Sequence, residues 1–356
     1  MASLTWIRDS RIPELDLTAL HPKKAFIIGV LDKEIQLSFA KRVRDTLPEP
    51  YHPLIPASKE IESPPFKFAD DSVPFAKEGR EVLSLLKKKA PEAEIQPILD
   101  TVQAEAASHG VDDALVASTD VYMTAICSIG AKSLSHVLST IDRCKDRLLA
   151  IGAQSEPARR QIVSSVVDFW SEHPGTAVNI VDKLLNYTIV TPMSVILWAL
   201  QDRMDRGRAL ASSMVYEVIA ITMFKVTNRV RQVGRERGNL ALPFAQRQAI
   251  DEALPRERQG MRELFAAIED AVAGVAEGAQ DEMVERFEGG EEEGELIEGW
   301  GRRWARVWRR KAAVEEAVVG EAVIGPLVEG EAPVVEAPVE AAAAELAAEE
   351  DLDRVE

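Results

Sequence analysis

Apolar residues recur at spacings of three and four positions along most of the chain, which places them on one face of successive helices. The pattern predicts a helix over 120–129 and is strongest between Pro157 and Val233. The apolar positions of that stretch are Ile162, Val163, Val166, Val167 and Trp170 on a first helix, Val178, Ile180, Val181, Leu184 and Leu185 on a second, Val195, Ile196, Trp198 and Ala199 on a third, and Leu210, Met214, Val215, Val218, Ile219, Ile221 and Phe224 on a long helix over 208–233. No segment alternates convincingly with period two, so the sequence predicts no sheet.

Proline, glycine and threonine mark where these helices begin and end. His173-Pro174-Gly175 is expected to stop the first helix, because proline cannot continue a helix and glycine permits a turn. Thr176 is expected to cap the next helix, and Thr191 followed by Pro192 signals the start of a third. Helices joined by such short turns pack antiparallel with their sequence neighbours. We therefore predict an all-α fold, a helical-hairpin solenoid of the HEAT or armadillo type.

Composition and prolines divide the chain into domains. A helix candidate over 33–46 is followed by four prolines between residues 48 and 56, and three more prolines lie between residues 64 and 74. The C-terminal segment is rich in Glu, Ala, Pro and Val and lacks aromatic residues, which predicts a disordered acidic tail. The predicted divisions are 1–56 as the end of a preceding helical-repeat domain, 57–77 as a linker, 78–315 as a helical-repeat domain and 316–356 as the tail.

The negative charge is unevenly spread. The formal net charge is −17, and the segment from Glu321 to Glu356 alone holds eleven acidic residues against one arginine. The acidity therefore belongs mainly to the tail and does not exclude contact with nucleic acid elsewhere. The two cysteines, Cys127 and Cys144, form no zinc-type pair and fit a reducing compartment. The N-terminus carries charge where a signal peptide needs an apolar core, and no apolar run approaches the roughly 20 residues that span a bilayer, so we predict no secretory route and no membrane partner.

The sequence contains no motif for catalysis or for phosphate binding. It has no Walker-type loop, no G-x-G-x-x-G, no G-x-S-x-G and no H-E-x-x-H. His173 stands at a helix end without a spaced carboxylate or thiol partner, and His136 lies on a predicted helix, so we interpret both as structural. We predict that the chain is not an enzyme and that it holds no cofactor and no metal ion.

The segment from Trp300 to Lys311 combines a tryptophan stripe with a basic face. Its tryptophans are Trp300, Trp304 and Trp308, at spacings of four, and its arginines are Arg302, Arg303, Arg306, Arg309 and Arg310. One interpretation is a basic amphipathic helix that docks on RNA, a membrane or a partner groove. The other is a last solenoid helix whose tryptophans complete the core while its arginines face water.

A second basic set lies near the end of the long predicted helix. It consists of Lys225, Arg229, Arg231, Arg235 and Arg237. It is equally well interpreted as a partner-facing or RNA-facing edge and as a solvated helix end, whose cations interact favourably with the helix dipole.

Several segments resemble the large subunit of the nuclear cap-binding complex, in the same order along the chain. They are Leu37-Ser-Phe-Ala-Lys-Arg-Val-Arg-Asp-Thr-Leu-Pro48, Phe66-Lys-Phe-Ala-Asp-Asp71, Ser133-Leu-Ser-His136, Val166-Val-Asp-Phe-Trp-Ser-Glu-His-Pro174 and Ile180-Val-Asp-Lys-Leu-Leu185. We take Trp170, His173, Pro174, Asp182, Lys183 and Trp198 as the structural signature of the resemblance.

The resemblance implies stacked helical-hairpin domains similar to the middle domain of eukaryotic initiation factor 4G. This chain would correspond to the C-terminal part of a fungal-like family member, with the first helical domain missing. The implied function is a nuclear scaffold, with cytoplasmic shuttling possible, that binds and orders a small RRM subunit. That subunit stacks the RNA cap between aromatic side chains, so capped RNA is an indirect partner of this chain. The resemblance also implies recruitment of splicing, export and nonsense-mediated decay factors. The alternative is a direct RNA-binding or translation-type helical scaffold unrelated to cap binding.

Overall fold

The computed structural model describes residues 48–54, 64–239, 241–277 and 290–322, and it contains helices and no strand in these residues. The α-helices are α1 (Ala76–Lys87), α2 (Glu92–Glu105), α3 (Ala114–Gly130), α4 (Leu134–Arg143), α5 (Lys145–Gln154), α6 (Glu156–Phe169), α7 (Pro174–Asn186), α8 (Pro192–Leu197), α9 (Ser213–Arg237), α10 (Phe244–Ala276) and α11 (Gly290–Ala322). The predicted all-α helical-hairpin fold is confirmed.

The described residues divide into two compact units. The larger is built from residues up to Val226 together with Arg262–Ala312, and the smaller from Thr227–Met261 together with residues from Ala313 onward. Each of the three long helices, α9, α10 and α11, contributes residues to both units.

Helix α3 is the centre of the larger unit and packs against α1, α2, α4 and α6. Its sequence is apolar on nearly every side, as a helix surrounded by others requires, and Val121, Met123 and Ile126 are fully buried. The helix begins at Ala114, six residues before the predicted start, because the Asp113 carboxylate accepts hydrogen bonds from two backbone N–H groups of the first turn. The helix therefore starts at the Asp113 cap, ahead of the apolar residues from which its start is predicted.

The turn between α6 and α7 differs from the prediction. Helix α6 ends at Phe169, and Pro174 does not merely stop a helix but occupies the first turn of α7. Proline fits that position because its missing N–H would have no partner inside the helix. The residue at the cap position is His173, so the prediction that Thr176 caps this helix is wrong; Thr176 is buried within the first turn.

The predicted long helix over 208–233 begins later than expected, at Ser213. Before it, Asp205–Ala211 forms 3-10 turns interrupted by positive φ at Arg206 (53°) and Gly207 (94°). Ser212 then adopts an extended backbone (φ −80°, ψ 120°), which a right-handed helix cannot include, so the α-helix begins only after it.

The predicted domain boundaries fall partly outside the described residues, as does the helix candidate over 33–46. Within the predicted linker, Lys67–Ala69 forms a 3-10 turn and Phe68 is buried, with 1% of its surface exposed. At the other end, α11 continues to Ala322, so residues 316–322 of the predicted tail are helical. Residues 323–356 lie outside the described residues.

The start of α8 predicts a measurable capping effect. Thr191 precedes Pro192, and its hydroxyl accepts a hydrogen bond from the backbone N–H of Ser194 at 3.1 Å. Replacing Thr191 with alanine should lower the free energy of unfolding by about 1 kcal/mol, because one buried helix donor loses its partner. Chemical denaturation followed by circular dichroism measures this change. Thr191→Ser keeps the hydroxyl and is the control; equal losses in both variants would contradict a role for the cap.

Candidate interaction surfaces

Two of the three tryptophans on α11 are core residues. Trp304 is 4% exposed and Trp308 is 2% exposed. The indole N–H of Trp304 donates a hydrogen bond to the backbone carbonyl of Leu210 at 2.9 Å, and the ring of Tyr216 meets Trp304 edge-on, with centroids 5.4 Å apart. These contacts hold α11 against α9 and against the loop that precedes it. For these two side chains, the structure agrees with the core interpretation of the stripe.

The third tryptophan borders an open groove. Trp300 is only partly buried, and the guanidinium of Arg303 lies over its ring, 5.2 Å from the centroid. The groove has a volume of about 520 Å³. We call it the α11 groove. It is lined by Tyr216, Trp300, Arg303, Trp304, Arg306, Val307 and Arg310. The apolar floor and the arginine rim therefore lie along a single exposed side of the helix.

The five predicted arginines of α11 fall into two groups. Arg302 pairs with Glu298 at 2.5 Å, and Arg309 pairs with Glu269 of α10 at 2.6 Å. In the part of the chain that the structure describes, no carboxylate pairs with the other three, which are the arginines of the α11 groove. Of these five arginines, the three without a carboxylate partner therefore all line the groove.

The second predicted basic set is largely engaged within the protein. In the larger unit, Lys225 forms an ion pair with Asp182 at 2.9 Å. In the smaller unit, Arg231 makes two hydrogen bonds to the carboxylate of Glu315, at 2.7 and 2.5 Å. The remaining pairs of the set are Arg229 with Glu257 and Arg237 with Asp251. Because four of the five charges have carboxylate partners, these four resemble internal helix pairing more than a free cationic edge.

A cavity of about 610 Å³, which sequence reasoning missed, lies among α1 to α5. Its most buried cation is Arg147, which donates a hydrogen bond to Gln96 at 2.8 Å, pairs with Glu92 and lies over the ring of Tyr122. Burial lowers the pKa of the Arg147 guanidinium and raises the pKa of the Tyr122 hydroxyl. Arg143 and Arg147 are four residues apart in the sequence, but α4 ends at Arg143 and α5 begins at Lys145, so this spacing does not predict the cavity.

Across residues 48–54, 64–239, 241–277 and 290–322, the structure holds no group of three or more His, Cys, Asp or Glu side chains arranged to bind a metal ion. No single described helix is long and apolar enough to cross a membrane. The pair Asp205–Ala211 and Ser213–Arg237, bent by 76°, meets the length and composition of a broken span.

Comparison with known proteins places this helical array in a family. A family model described as MIF4G like matches residues 66–317, which is most of the chain. The chain belongs to the MIF4G-like family. A second model with the same description matches residues 2–49.

Three similar proteins are each named as a subunit 1 of a nuclear cap-binding protein. Nuclear cap-binding protein subunit 1 of Schizosaccharomyces pombe is 25% identical over 227 residues, which are 64% of this chain and 28% of the relative. The protein of that name from Xenopus tropicalis is 26% identical over 230 residues, 63% of this chain and 28% of the relative. Subunit 1-A from Xenopus laevis is 24% identical over 221 residues, 60% of this chain and 27% of the relative. The chain thus spans little more than a quarter of the length of these relatives.

In this MIF4G-like array, the residues of the predicted signature make helix-packing contacts. Trp170 and Trp198 are 1% and 0% exposed. His173 meets the Trp170 ring edge-on, with centroids 6.1 Å apart, and occupies the N-cap position of the helix that begins at Pro174. The other two signature residues are polar: Asp182 pairs with Lys225, and Lys183 lies over the Tyr187 ring. These interactions give the signature a structural explanation without a bound ligand.

Proposed function

We propose that this chain is part of the scaffold subunit of a nuclear cap-binding complex and that it binds the small RRM subunit. The observation that carries the proposal is its similarity to fungal and amphibian proteins named nuclear cap-binding protein subunit 1, over 227 and 230 residues. Because the match covers 28% of each of these relatives, the proposal concerns the part of the scaffold formed by residues 66–317.

The physical character of the array supports a scaffold. Its helices are tied together by buried tryptophans and by ion pairs between helices, which give a fixed surface on which a partner can dock without reordering the chain. Recognition of the cap is assigned to the partner, since RRM sheets carry aromatic side chains on which bases stack. In this proposal the chain provides the docking surface, and the small subunit binds the cap.

The finer parts of the proposal follow the same similarity. The chain acts in the nucleus, with cytoplasmic shuttling, and recruits splicing, export and nonsense-mediated decay factors. The separate match at residues 2–49 supports a preceding helical-repeat domain, and the interval before residue 66 supports a linker there. The names of the relatives favour this function over a helical scaffold unrelated to cap binding.

Binding to the small subunit tests the proposal directly. The chain and the small RRM subunit of the same organism are purified separately, mixed at micromolar concentration and applied to size-exclusion chromatography and to a 7-methyl-GTP resin. We expect co-elution, and we expect the resin to retain the chain only when the small subunit is present. This result follows because the chain reaches the cap only through its partner.

The controls separate specific assembly from adsorption. An unrelated RRM protein should not co-elute with the chain, and free 7-methyl-GTP, but not GTP, should release the complex from the resin. A chain that unfolds cooperatively and still forms no complex at micromolar concentration would refute the proposal.

A further inference from the structure

We propose that the α11 groove binds single-stranded RNA directly, with a base stacked at Trp300 and phosphates held by Arg303, Arg306 and Arg310. This site goes beyond the proposed function, because it requires contact between RNA and the chain's own residues without the small subunit. The proposal rests on three properties of the groove: unpaired positive charge, a stacking surface and a fixed backbone.

The first property is charge. All three groove arginines are exposed, and no carboxylate among the described residues pairs with them. Their neighbours Arg302 and Arg309 lie on the same helix and are both neutralised by glutamates. Since Arg302 and Arg309 are paired and the groove arginines are not, the groove arginines are available to bind a polyanion.

The second property is a surface on which bases can stack. The Trp300 ring and the Arg303 guanidinium already lie one over the other, and Tyr216 and Val307 continue the apolar floor. Proteins hold unpaired bases on aromatic rings and on guanidinium planes. An acidic peptide would bind the arginines through its carboxylates but would gain no stacking on the Trp300 ring and the Arg303 guanidinium, so the arrangement favours RNA.

The third property is a fixed geometry. The groove arginines occupy positions 303, 306 and 310, which lie on one side of α11 and span about 10 Å along its axis at 1.5 Å per residue. The helix is held in place by the hydrogen bond from Trp304 to Leu210 and by a close approach at Gly301, where an added Cβ would lie 2.7 Å from the backbone nitrogen of Ala276. The cations are therefore presented in a row beside the stacking surface, in a groove of about 520 Å³ that has room for a nucleobase.

The test measures fluorescence anisotropy of the purified chain with a labelled, uncapped 12-nucleotide RNA, at 50 and 200 mM salt and without the small subunit. Three phosphate contacts predict that affinity falls about 15- to 20-fold between these salt concentrations. The triple variant Arg303→Gln, Arg306→Gln, Arg310→Gln should lose that salt dependence and at least tenfold in affinity at low salt. Trp300→Ala should lose about tenfold through stacking, and Trp300→Phe should recover most of it.

A matched variant removes the same charge from paired positions. Arg302→Gln, Arg309→Gln, Arg229→Gln should bind RNA within about twofold of the parent, since these three arginines have glutamate partners. Unfolding curves of all variants exclude loss of fold as the cause of lost binding.

Two outcomes would overturn the proposal. One is an equal loss of RNA affinity in the two triple variants, which would show that RNA responds to positive charge in general and not to the groove. The other is binding of a polyglutamate peptide at least as tight as that of RNA with no effect of Trp300→Ala, which would identify an acidic protein partner. Neither outcome affects co-elution with the small subunit, so failure here is distinguishable from failure of the proposed function.

Discussion

Replacing Trp170 with alanine is expected to lower the free energy of unfolding by about 3–5 kcal/mol, the range for large buried aromatic side chains. Trp170 is 1% exposed and follows the last turn of α6, where it meets both Phe169 and His173 edge-on. Alanine would leave a cavity at the turn that joins α6 to α7. The lost contacts therefore affect two helices and their connection at once.

Urea denaturation followed by circular dichroism measures this loss, and Trp300→Ala is the matched control. Trp300 has the same side chain but is only partly buried, so its loss should be much smaller. A Trp170→Ala variant that unfolds like the parent and yet fails to bind the small subunit would show that Trp170 is a contact residue and not a core residue.

The helical faces could be predicted from sequence because their signal is local. The apolar positions assigned to α6, among them Val163 and Val166, are fully buried in the structure. Burial at spacings of three and four residues is a direct consequence of helix geometry and needs no knowledge of the partner helix. The same local rule placed Trp304 and Trp308 on one face.

Two predicted helix starts differ from the structure, and the reasons are equally local. Both Thr176 and Pro174 are start signals, and the proline at the first helical position prevailed because it sets φ before the threonine is reached. The start of α9 is predicted too early because Ser212 adopts an extended backbone directly before the helix, which the apolar pattern does not reveal.

The pairing of charges could not be predicted, because the partners are remote in sequence. Arg309 pairs with Glu269, 40 residues away, and Arg231 with Glu315, 84 residues away. From the sequence, all eight candidate basic residues looked alike. The tertiary structure divides them into those with carboxylate partners and the arginines of the α11 groove.

Replacing Gly130 with alanine is expected to lower the free energy of unfolding by about 2–3 kcal/mol. Gly130 is the last residue of α3, and a Cβ added there would lie 2.2 Å from the Cα of Val137 and 2.7 Å from its backbone nitrogen. Backbone atoms cannot move aside as a side-chain tip can, so α3 and α4 must separate. This cost exceeds the roughly 1 kcal/mol by which alanine favours a helix over glycine.

Gly274→Ala in α10 is the matched control, because no heavy atom lies within 4 Å of its added Cβ. There the helix preference acts alone, and stability should rise by about 0.5–1 kcal/mol. Denaturation curves of the two variants should thus shift in opposite directions; a shift of the same sign in both would mean that the close approach at Gly130 does not limit how α3 and α4 pack.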